Sequence, residues 1–131
     1  MVLVDTSVWV DYFNGVVDGR TDRLDALLGT GVILVGDLIL AELLQGFARE
    51  ADFRRVRALL LELPCADLCG REVALRAAAN YRSLRARGVT VRKTIDIVIG
   101  TFCLMHDHEL LHADRDFDAL ERHLGLRVLR H

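Results

Sequence analysis

The sequence contains little that would divide the chain or brace it covalently. It has one proline among 131 residues, and no stretch rich in proline, glycine and serine separates one part from another. We therefore expect a single domain over residues 1–131. The three cysteines, Cys65, Cys69 and Cys103, are odd in number and form no paired Cys-x-x-Cys motif. This usage predicts reduced thiols and a cytoplasmic protein rather than a disulfide framework.

Long hydrophobic runs are also missing. Acidic residues interrupt the longest apolar stretches at Asp5, Asp37, Glu42 and Asp96. None of these stretches approaches the ~18 to 20 apolar residues that a membrane span needs. Residues 1–4 resemble a strand rather than the start of a signal peptide, so we expect no membrane association. The apolar content of 52% still allows a core, because a chain of this length buries roughly two-thirds of its surface on folding.

The chain has no overall excess of positive charge, but its charges are segregated. The formal net charge is −2. Between residues 71 and 93 the only acid is Glu72, whereas the basic residues are Arg71, Arg76, Arg82, Arg85, Arg87, Arg92 and Lys93. In the next segment Arg115 stands alone against Asp96, Asp107, Glu109, Asp114, Asp116 and Asp118. A basic flank beside an acidic cluster suits a metal-dependent nuclease, which must attract phosphate to a negatively charged site. A solvated helix face is the simpler alternative.

Short apolar runs alternate with helical patterns. Strand-length runs occur at residues 2–4, 32–35 and 110–111, with a further candidate at 126–129 and a weaker one at 63–68. The segments between them predict five helices. Ser7 would cap the first, Asp37 one over about 38–47, and Thr94 one over 95–105; the others cover 53–61 and about 71–87. The alternation predicts an α/β fold with a mostly parallel, buried sheet.

Four acids occupy positions where a carboxylate needs a partner. Asp5 and Asp114 each follow an apolar strand, at the carboxyl end where open parallel sheets bind ligands. Glu42 and Asp96 lie among apolar neighbours on predicted helices, and removing an unpaired carboxylate from water costs several kcal/mol. A cation shared by all four acids relieves this cost. We expect Mg²⁺ or Mn²⁺, because both prefer hard oxygen ligands and leave room for a water and a phosphate oxygen.

Each acid also has a simpler explanation when taken alone. Asp5 and Asp114 could cap helices, Glu42 could neutralise an arginine, and Asp96 could interact with the positive end of a helix dipole. Their combination favours a common site.

Other kinds of site are less well supported. A zinc site of His106, His108 and His112 with Cys103 fits no paired zinc spacing. Ser7 lies in no nucleophile elbow, and Cys103 lies mid-helix in apolar company. A phospho-accepting receiver domain should carry a lysine at a late strand end, but the only lysine, Lys93, precedes a helix.

Four segments carry a family resemblance. They are Val-Asp-Thr-Ser at residues 4–7, Ala-Glu-Leu at 41–43, Asp-Ile-Val-Ile-Gly at 96–100 and Leu-His-Ala-Asp-Arg-Asp-Phe at 111–117. Their order and spacing resemble PIN-domain ribonucleases, and the length resembles the VapC-type toxins of bacterial toxin–antitoxin pairs. The resemblance implies a three-layer α/β/α fold with a mostly parallel sheet of four to five strands. It also implies a Mg²⁺- or Mn²⁺-dependent endoribonuclease that cuts tRNA or another structured RNA and inhibits translation. The resemblance further implies a homodimer and a VapB-like antitoxin that blocks the site.

The resemblance also assigns individual residues. The catalytic, metal-binding acids match Asp5, Glu42, Asp96 and Asp114, a further acid matches Asp116, and a small hydroxyl residue that holds a ligand or water matches Thr6. His112 departs from the pattern, which has threonine or serine two residues before the match to Asp114. We assign contacts with RNA phosphates to the basic residues that flank Asp96, namely Arg82, Arg85, Arg87, Arg92 and Lys93. The alternative function is a non-catalytic PIN-like module that binds RNA or protein, against which the intact acids argue.

Overall fold

The computed structural model describes all 131 residues and contains four strands and seven α-helices. In chain order these are β1 (Val2–Val4), α1 (Thr6–Phe13), α2 (Gly19–Leu27), β2 (Ile33–Gly36), α3 (Asp37–Gln45), α4 (Glu50–Leu61), β3 (Cys65–Ala66), α5 (Gly70–Ala86), α6 (Thr94–His106), β4 (Glu109–Leu111) and α7 (Asp118–Leu124). A short 3₁₀ turn, Arg115–Phe117, precedes α7. None of the helices combines the length and the apolar character that crossing a membrane requires.

The four strands form one parallel sheet in the order β3-β2-β1-β4. β1 is central, and its Leu3 pairs with Leu34 on one side and Leu110 on the other. All three residues of β1 are buried, as expected for a strand covered by helices on both faces. The predicted α/β/α fold with a parallel sheet is thus confirmed, with four strands. The strand expected at residues 126–129 is reduced to a single bridge between Leu110 and Val128.

A single hydrophobic cluster of 29 buried residues surrounds the sheet. It includes the strand residues and the inward faces of the helices, among them Trp9, whose ring stacks on Phe13 at 5.7 Å. α6 contributes most, because every residue from Asp96 to Cys103 is buried. α6 is therefore a central helix, and Asp96 in its first turn is buried together with it.

The five predicted helices are confirmed in position, but all three predicted caps are wrong. Asp37 is itself the first residue of α3 rather than its N-cap. α1 is capped by Asp5, whose carboxylate accepts a hydrogen bond from the Ser7 N–H at 3.1 Å. Thr94 is the first residue of α6 and caps nothing; the N-cap is Lys93, which makes no side-chain capping bond. Asp5 and Lys93 thus stand at the entrances of the two helices that bound the site described below.

Candidate metal centre

Three carboxylates converge beyond the carboxyl ends of β1 and β4. Asp96 comes from the first turn of α6, whereas Asp114 and Asp116 follow β4. Each offers an oxygen that lies within 4.8 Å of the other two. They meet because only two residues connect α6 to β4, so the helix runs back along the strand and begins where the strand ends. No other group of three or more histidine, cysteine or acidic side chains is close enough to hold a metal, so the zinc alternative gains no support.

The cluster leaves two carboxylate oxygens without hydrogen-bond donors. Oδ2 of Asp96 and Oδ2 of Asp116 are buried, and neither accepts a hydrogen bond. The side chain of Asp114 is oriented by a local hydrogen bond, in which its Oδ1 accepts from the Asp116 N–H at 2.9 Å. A buried anionic oxygen without a donor is costly, and hard oxygen donors of this kind suit Mg²⁺ or Mn²⁺. The residues present therefore fit a divalent cation.

Asp96 shows the electrostatic consequence of this crowding. Burial raises the pKa of its carboxyl to about 6. The ammonium of Lys93 opposes the rise, whereas the negative charges of Asp5, Asp114 and Asp116 add to it. The net effect disfavours the ionised form, because the one nearby ammonium does not compensate for the lost hydration and the neighbouring anions. A cation in the cluster would reverse this balance.

Asp5 borders the cluster at the end of β1 and is also buried. Its backbone N–H donates to the Leu111 carbonyl at 2.9 Å, which joins β1 to β4. Its Oδ2 accepts from the Ser7 hydroxyl at 2.5 Å, and the same hydroxyl accepts from the Ala113 N–H at 3.0 Å. Ser7 therefore connects Asp5 to the loop that carries Asp114. Sequence reasoning missed this role, although the two-residue spacing from Asp5 to Ser7 was a usable signal.

Glu42 is brought to the same edge but not into the group of three. It is half-buried on α3 rather than pointing into the core, and its Oε1 accepts from the Thr6 hydroxyl at 2.9 Å. Because Thr6 follows Asp5 directly, Glu42 joins the site through the start of α1. The structure thus arranges the predicted acids as a cluster of Asp96, Asp114 and Asp116 with Asp5 and Glu42 beside it. Their roles as ligands stay predictions.

His112 supports the loop after β4. Its Nδ1 accepts from the Asp114 N–H at 3.2 Å, and its ring lies 4.9 Å from the ring of Phe117. Burial lowers the pKa of His112, which favours the neutral ring that an accepting Nδ1 requires. Its carbonyl accepts from Nε of Arg20 at 2.8 Å. The departure from the family pattern therefore orients the backbone of Asp114.

The five basic residues predicted to contact RNA fall into two groups. Lys93 places its Nζ 3.9 Å from Oδ2 of Asp96 and 3.8 Å from Oδ2 of Asp114. Arg92 donates to Oδ1 of Asp116 at 3.2 Å. These two residues pair with the cluster itself.

The other three belong to the end of α5 and are exposed. Arg82 lines an apolar cavity between α5 and α6, Arg85 lies 5.7 Å above the ring of Tyr81, and Arg87 contacts His123 at 3.2 Å. None of the three pairs with an acid, so their charges are free for a partner outside the chain.

Fold and site together define a class: an α/β protein whose parallel sheet carries a candidate divalent-metal site at its carboxyl edge. The PIN domain family profile matches residues 2–123, and the chain belongs to the PIN domain family. It is similar to the VapC ribonuclease Mb1587 of Mycobacterium bovis and to ribonuclease VapC11 of Mycobacterium tuberculosis. Each is 31% identical over 131 residues, covering 98% of this chain and 97% of the relative.

Solved structures share the fold at lower identity. VapBC2 from Rickettsia felis, bound to a DNA fragment from its promoter, includes a chain that is 18% identical, with a TM-score of 0.76 and 98% of both chains covered. VapC20 of Mycobacterium tuberculosis, a sarcin-ricin loop cleaving toxin, is 16% identical, with a TM-score of 0.69 and 100% of both chains covered. These similarities establish the fold.

Proposed function

We propose that this chain is an endoribonuclease of the VapC type that hydrolyses RNA phosphodiester bonds with Mg²⁺ or Mn²⁺. The ligands would be Asp96, Asp114 and Asp116, with Asp5 and Glu42 completing the catalytic site. The observation that carries the proposal is the pair of buried carboxylate oxygens, on Asp96 and Asp116, that no donor satisfies. The 31% identity to VapC ribonucleases over almost the whole chain supports it.

The chain's own residues would hold and orient the reacting groups. Asp5 is fixed by Ser7 and Glu42 by Thr6, and each carboxylate keeps one oxygen that can accept a hydrogen bond from a water. His112 holds the backbone of Asp114, so the carboxylate it carries is already in position. A divalent cation bound among these acids would supply charge for a phosphate oxygen and lower the pKa of the attacking water.

The biological setting is part of the proposal. The chain would act as the toxin of a VapB and VapC pair, cut tRNA or another structured RNA, and so inhibit translation. A VapB-like antitoxin would block the site. Support comes from VapBC complexes among the proteins of the same fold, such as those of Rickettsia felis and Salmonella typhimurium.

We also propose that the chain forms a homodimer. Light scattering at micromolar concentration should then give twice the mass of one chain, and a monomer would contradict the proposal.

The test of the function is RNA cleavage with and without metal. Purified protein incubated with total RNA should cut it with Mg²⁺ or Mn²⁺ and not with excess chelator. Asp96→Asn, Asp5→Asn and Glu42→Gln should each lower the cleavage rate at least about 100-fold, because each removes a charge that acts on the reacting groups.

Asp107→Asn is the matched control for these variants. Asp107 precedes the amino end of β4, away from the site, and has a left-handed backbone with φ of 57°, which asparagine tolerates well. This variant should cut at the wild-type rate. Cleavage in chelator, or near-normal rates in all three site variants, would contradict the proposal. RNA binding without cleavage would favour the non-catalytic PIN-like module.

A further inference from the structure

Lys93 lies where a cation would have to bind. Its Nζ is 3.9 Å from Oδ2 of Asp96 and 3.8 Å from Oδ2 of Asp114. The Asp96 oxygen is one of the two that lack a hydrogen-bond donor, and the Asp96 side chain is only 5% exposed. The ammonium therefore compensates the charge of these carboxylates without approaching them at hydrogen-bond distance.

Arg92 compensates the negative charge of Asp116, the third acid of the cluster. It donates to Oδ1 of Asp116 at 3.2 Å, while Oδ2 of Asp116 stays without a donor. Two consecutive residues thus provide the positive charge for all three carboxylates. Both side chains reach in from solvent, since Arg92 is 76% exposed and Lys93 57%. The acids themselves are mostly buried, but Nζ of Lys93 stays beyond hydrogen-bond distance of them and its side chain keeps contact with water. Lys93 is therefore held only loosely and can leave the cluster.

A divalent cation and Lys93 would compete for the same atoms. Mg²⁺ requires carboxylate oxygens at about 2.0 to 2.1 Å, and an ammonium beside these oxygens would then face a doubly charged ion. Like charges at such a separation repel strongly in a partly buried site. Binding of the metal therefore requires that Lys93 move away.

We propose that Lys93 is a resident counter-cation of the metal-free protein, which a divalent metal displaces and which then becomes available to an RNA phosphate. The inference rests on the proposed function, because it takes the three acids as the metal site. It explains how a cluster of acids is kept together before metal binds. It also assigns Lys93 opposite effects on the two ligands: it weakens metal binding and strengthens RNA binding.

The first measurement is Mn²⁺ affinity by isothermal titration calorimetry in 150 mM salt. Lys93→Met should bind Mn²⁺ about five- to tenfold more tightly than the wild type, because the competitor is gone. Lys93→Arg keeps the charge and should stay close to the wild type.

Arg115→Gln is the matched control for simple charge removal. Arg115 lies between Asp114 and Asp116 in the chain, is exposed, and pairs with no acid. Its loss should change Mn²⁺ affinity by less than about twofold, since exposed charges are screened at this salt concentration. An equal gain in Mn²⁺ affinity in Arg115→Gln and Lys93→Met would overturn the inference. The gain would then reflect the loss of any nearby positive charge rather than displacement of the Lys93 ammonium by the metal.

The second measurement follows the ammonium directly. Lys93 is the only lysine of the chain, so reductive ¹³C-methylation labels it and the N-terminal amine alone, and Lys93→Arg identifies its NMR signal. Titration with Mg²⁺ should move that signal towards its position in the unfolded protein, with the same midpoint as Mg²⁺ binding. A signal that does not move while Mg²⁺ binds would overturn the inference and leave the proposed function standing. Absence of any divalent-metal binding by the wild type would overturn both.

Discussion

At the scale of single residues, Asp96 combines two opposing requirements. α6 must be buried on every side to fill the space beside the sheet, and residues 96–103 are all buried. A carboxylate in its first turn gains from the helix dipole, but burial still raises the pKa of Asp96 to about 6. The cost of removing this carboxylate from water therefore exceeds what the dipole and Lys93 return.

This balance predicts the pH dependence of the metal-free protein. The pKa of Asp96 is higher in the folded chain than in the unfolded one, so the folded state keeps the proton of Asp96 up to a higher pH. Stability should therefore fall as the pH rises from about 4 through about 6. Asp96→Asn has no proton to lose there. With chelator present it should be more stable than the wild type by about 1 to 3 kcal/mol at pH 7.5, with a smaller difference at pH 4.5.

Urea denaturation at the two pH values measures this difference. Asp107→Asn serves again as control, because Asp107 is exposed at the other end of β4, and its stability should follow the wild type. If Asp96→Asn loses stability between pH 4.5 and 7.5 to the same extent as the wild type, the electrostatic cost assigned to Asp96 is wrong.

Sequence reasoning could find the acids of the site but not the long-range contacts that support them. Asp5 and Asp114 were predictable because each ends an apolar strand run, and Asp96 because its neighbours are apolar. Ser7 bridges to Ala113, 106 residues away, and no local pattern encodes such a contact. The apolar neighbours of Glu42 in the sequence predict a buried carboxylate, but Glu42 is only half-buried and accepts a hydrogen bond from the Thr6 hydroxyl.

At the scale of elements, predictability followed apolar content. β1, β2 and β4 are apolar runs and were predicted close to their ends, whereas residues 126–129 supply only one bridge beside Leu110. α7, with only seven residues, was not predicted, and neither was α2, because its sequence is mostly polar. Its start nevertheless carries a capping box, in which the Asp18 carboxylate accepts from the Thr21 N–H and the Thr21 hydroxyl accepts from the Asp18 N–H, both at 2.9 Å. Capping is therefore the signal that finds a helix with so weak an apolar face.

Close packing of α6 against α7 predicts the effect of a single methyl group. A Cβ at Gly100 would lie 2.2 Å from Cδ2 of Leu120, which is fully buried. Alanine should raise helix propensity by up to about 1 kcal/mol, but overpacking in a filled core typically costs about 1 to 3 kcal/mol. We expect Gly100→Ala to lower the free energy of unfolding by about 1 to 2 kcal/mol, as measured by urea denaturation.

Gly46→Ala provides the comparison for Gly100→Ala. Gly46 has right-handed helical backbone angles at the end of α3, and its added Cβ would find only ordinary contacts of 3.5 and 3.8 Å. The change should be neutral or stabilising by up to about 1 kcal/mol. Equal stability of the two alanine variants would show that α6 and α7 pack less tightly than described.

At the scale of the whole molecule, the segregated charges acquire a spatial meaning. The acids gather at the carboxyl edge of the sheet, and the basic residues 82–93 run from the end of α5 to the start of α6 beside them. The net charge of −2 therefore hides a local positive surface next to a negative site. The positive surface can attract a polyanion such as RNA. The phosphates of the polyanion stay beside the acidic site, which repels them until a metal binds.

The arrangement predicts which arginines bind RNA when no metal is present. In chelator, Arg92 and Lys93 pair with the acids, whereas Arg82 and Arg85 pair with none. Binding of a fluorescein-labelled single-stranded RNA should therefore depend on these α5 arginines. For Arg82→Gln with Arg85→Gln, the slope of log affinity against log salt should become shallower by about 1.4, because each lost phosphate contact on a single strand removes about 0.7.

A charge change elsewhere separates this local surface from net charge. Arg57 on α4 is exposed and pairs with no acid, so Arg57→Gln should leave the slope unchanged. Fluorescence anisotropy from 50 to 300 mM salt measures the slope for each variant. An equal change in Arg57→Gln would mean that RNA responds to total charge, and an unchanged slope in the double variant would remove the end of α5 from the RNA surface. A change confined to the α5 variant would instead mark the rim from which a bound phosphate can reach Lys93.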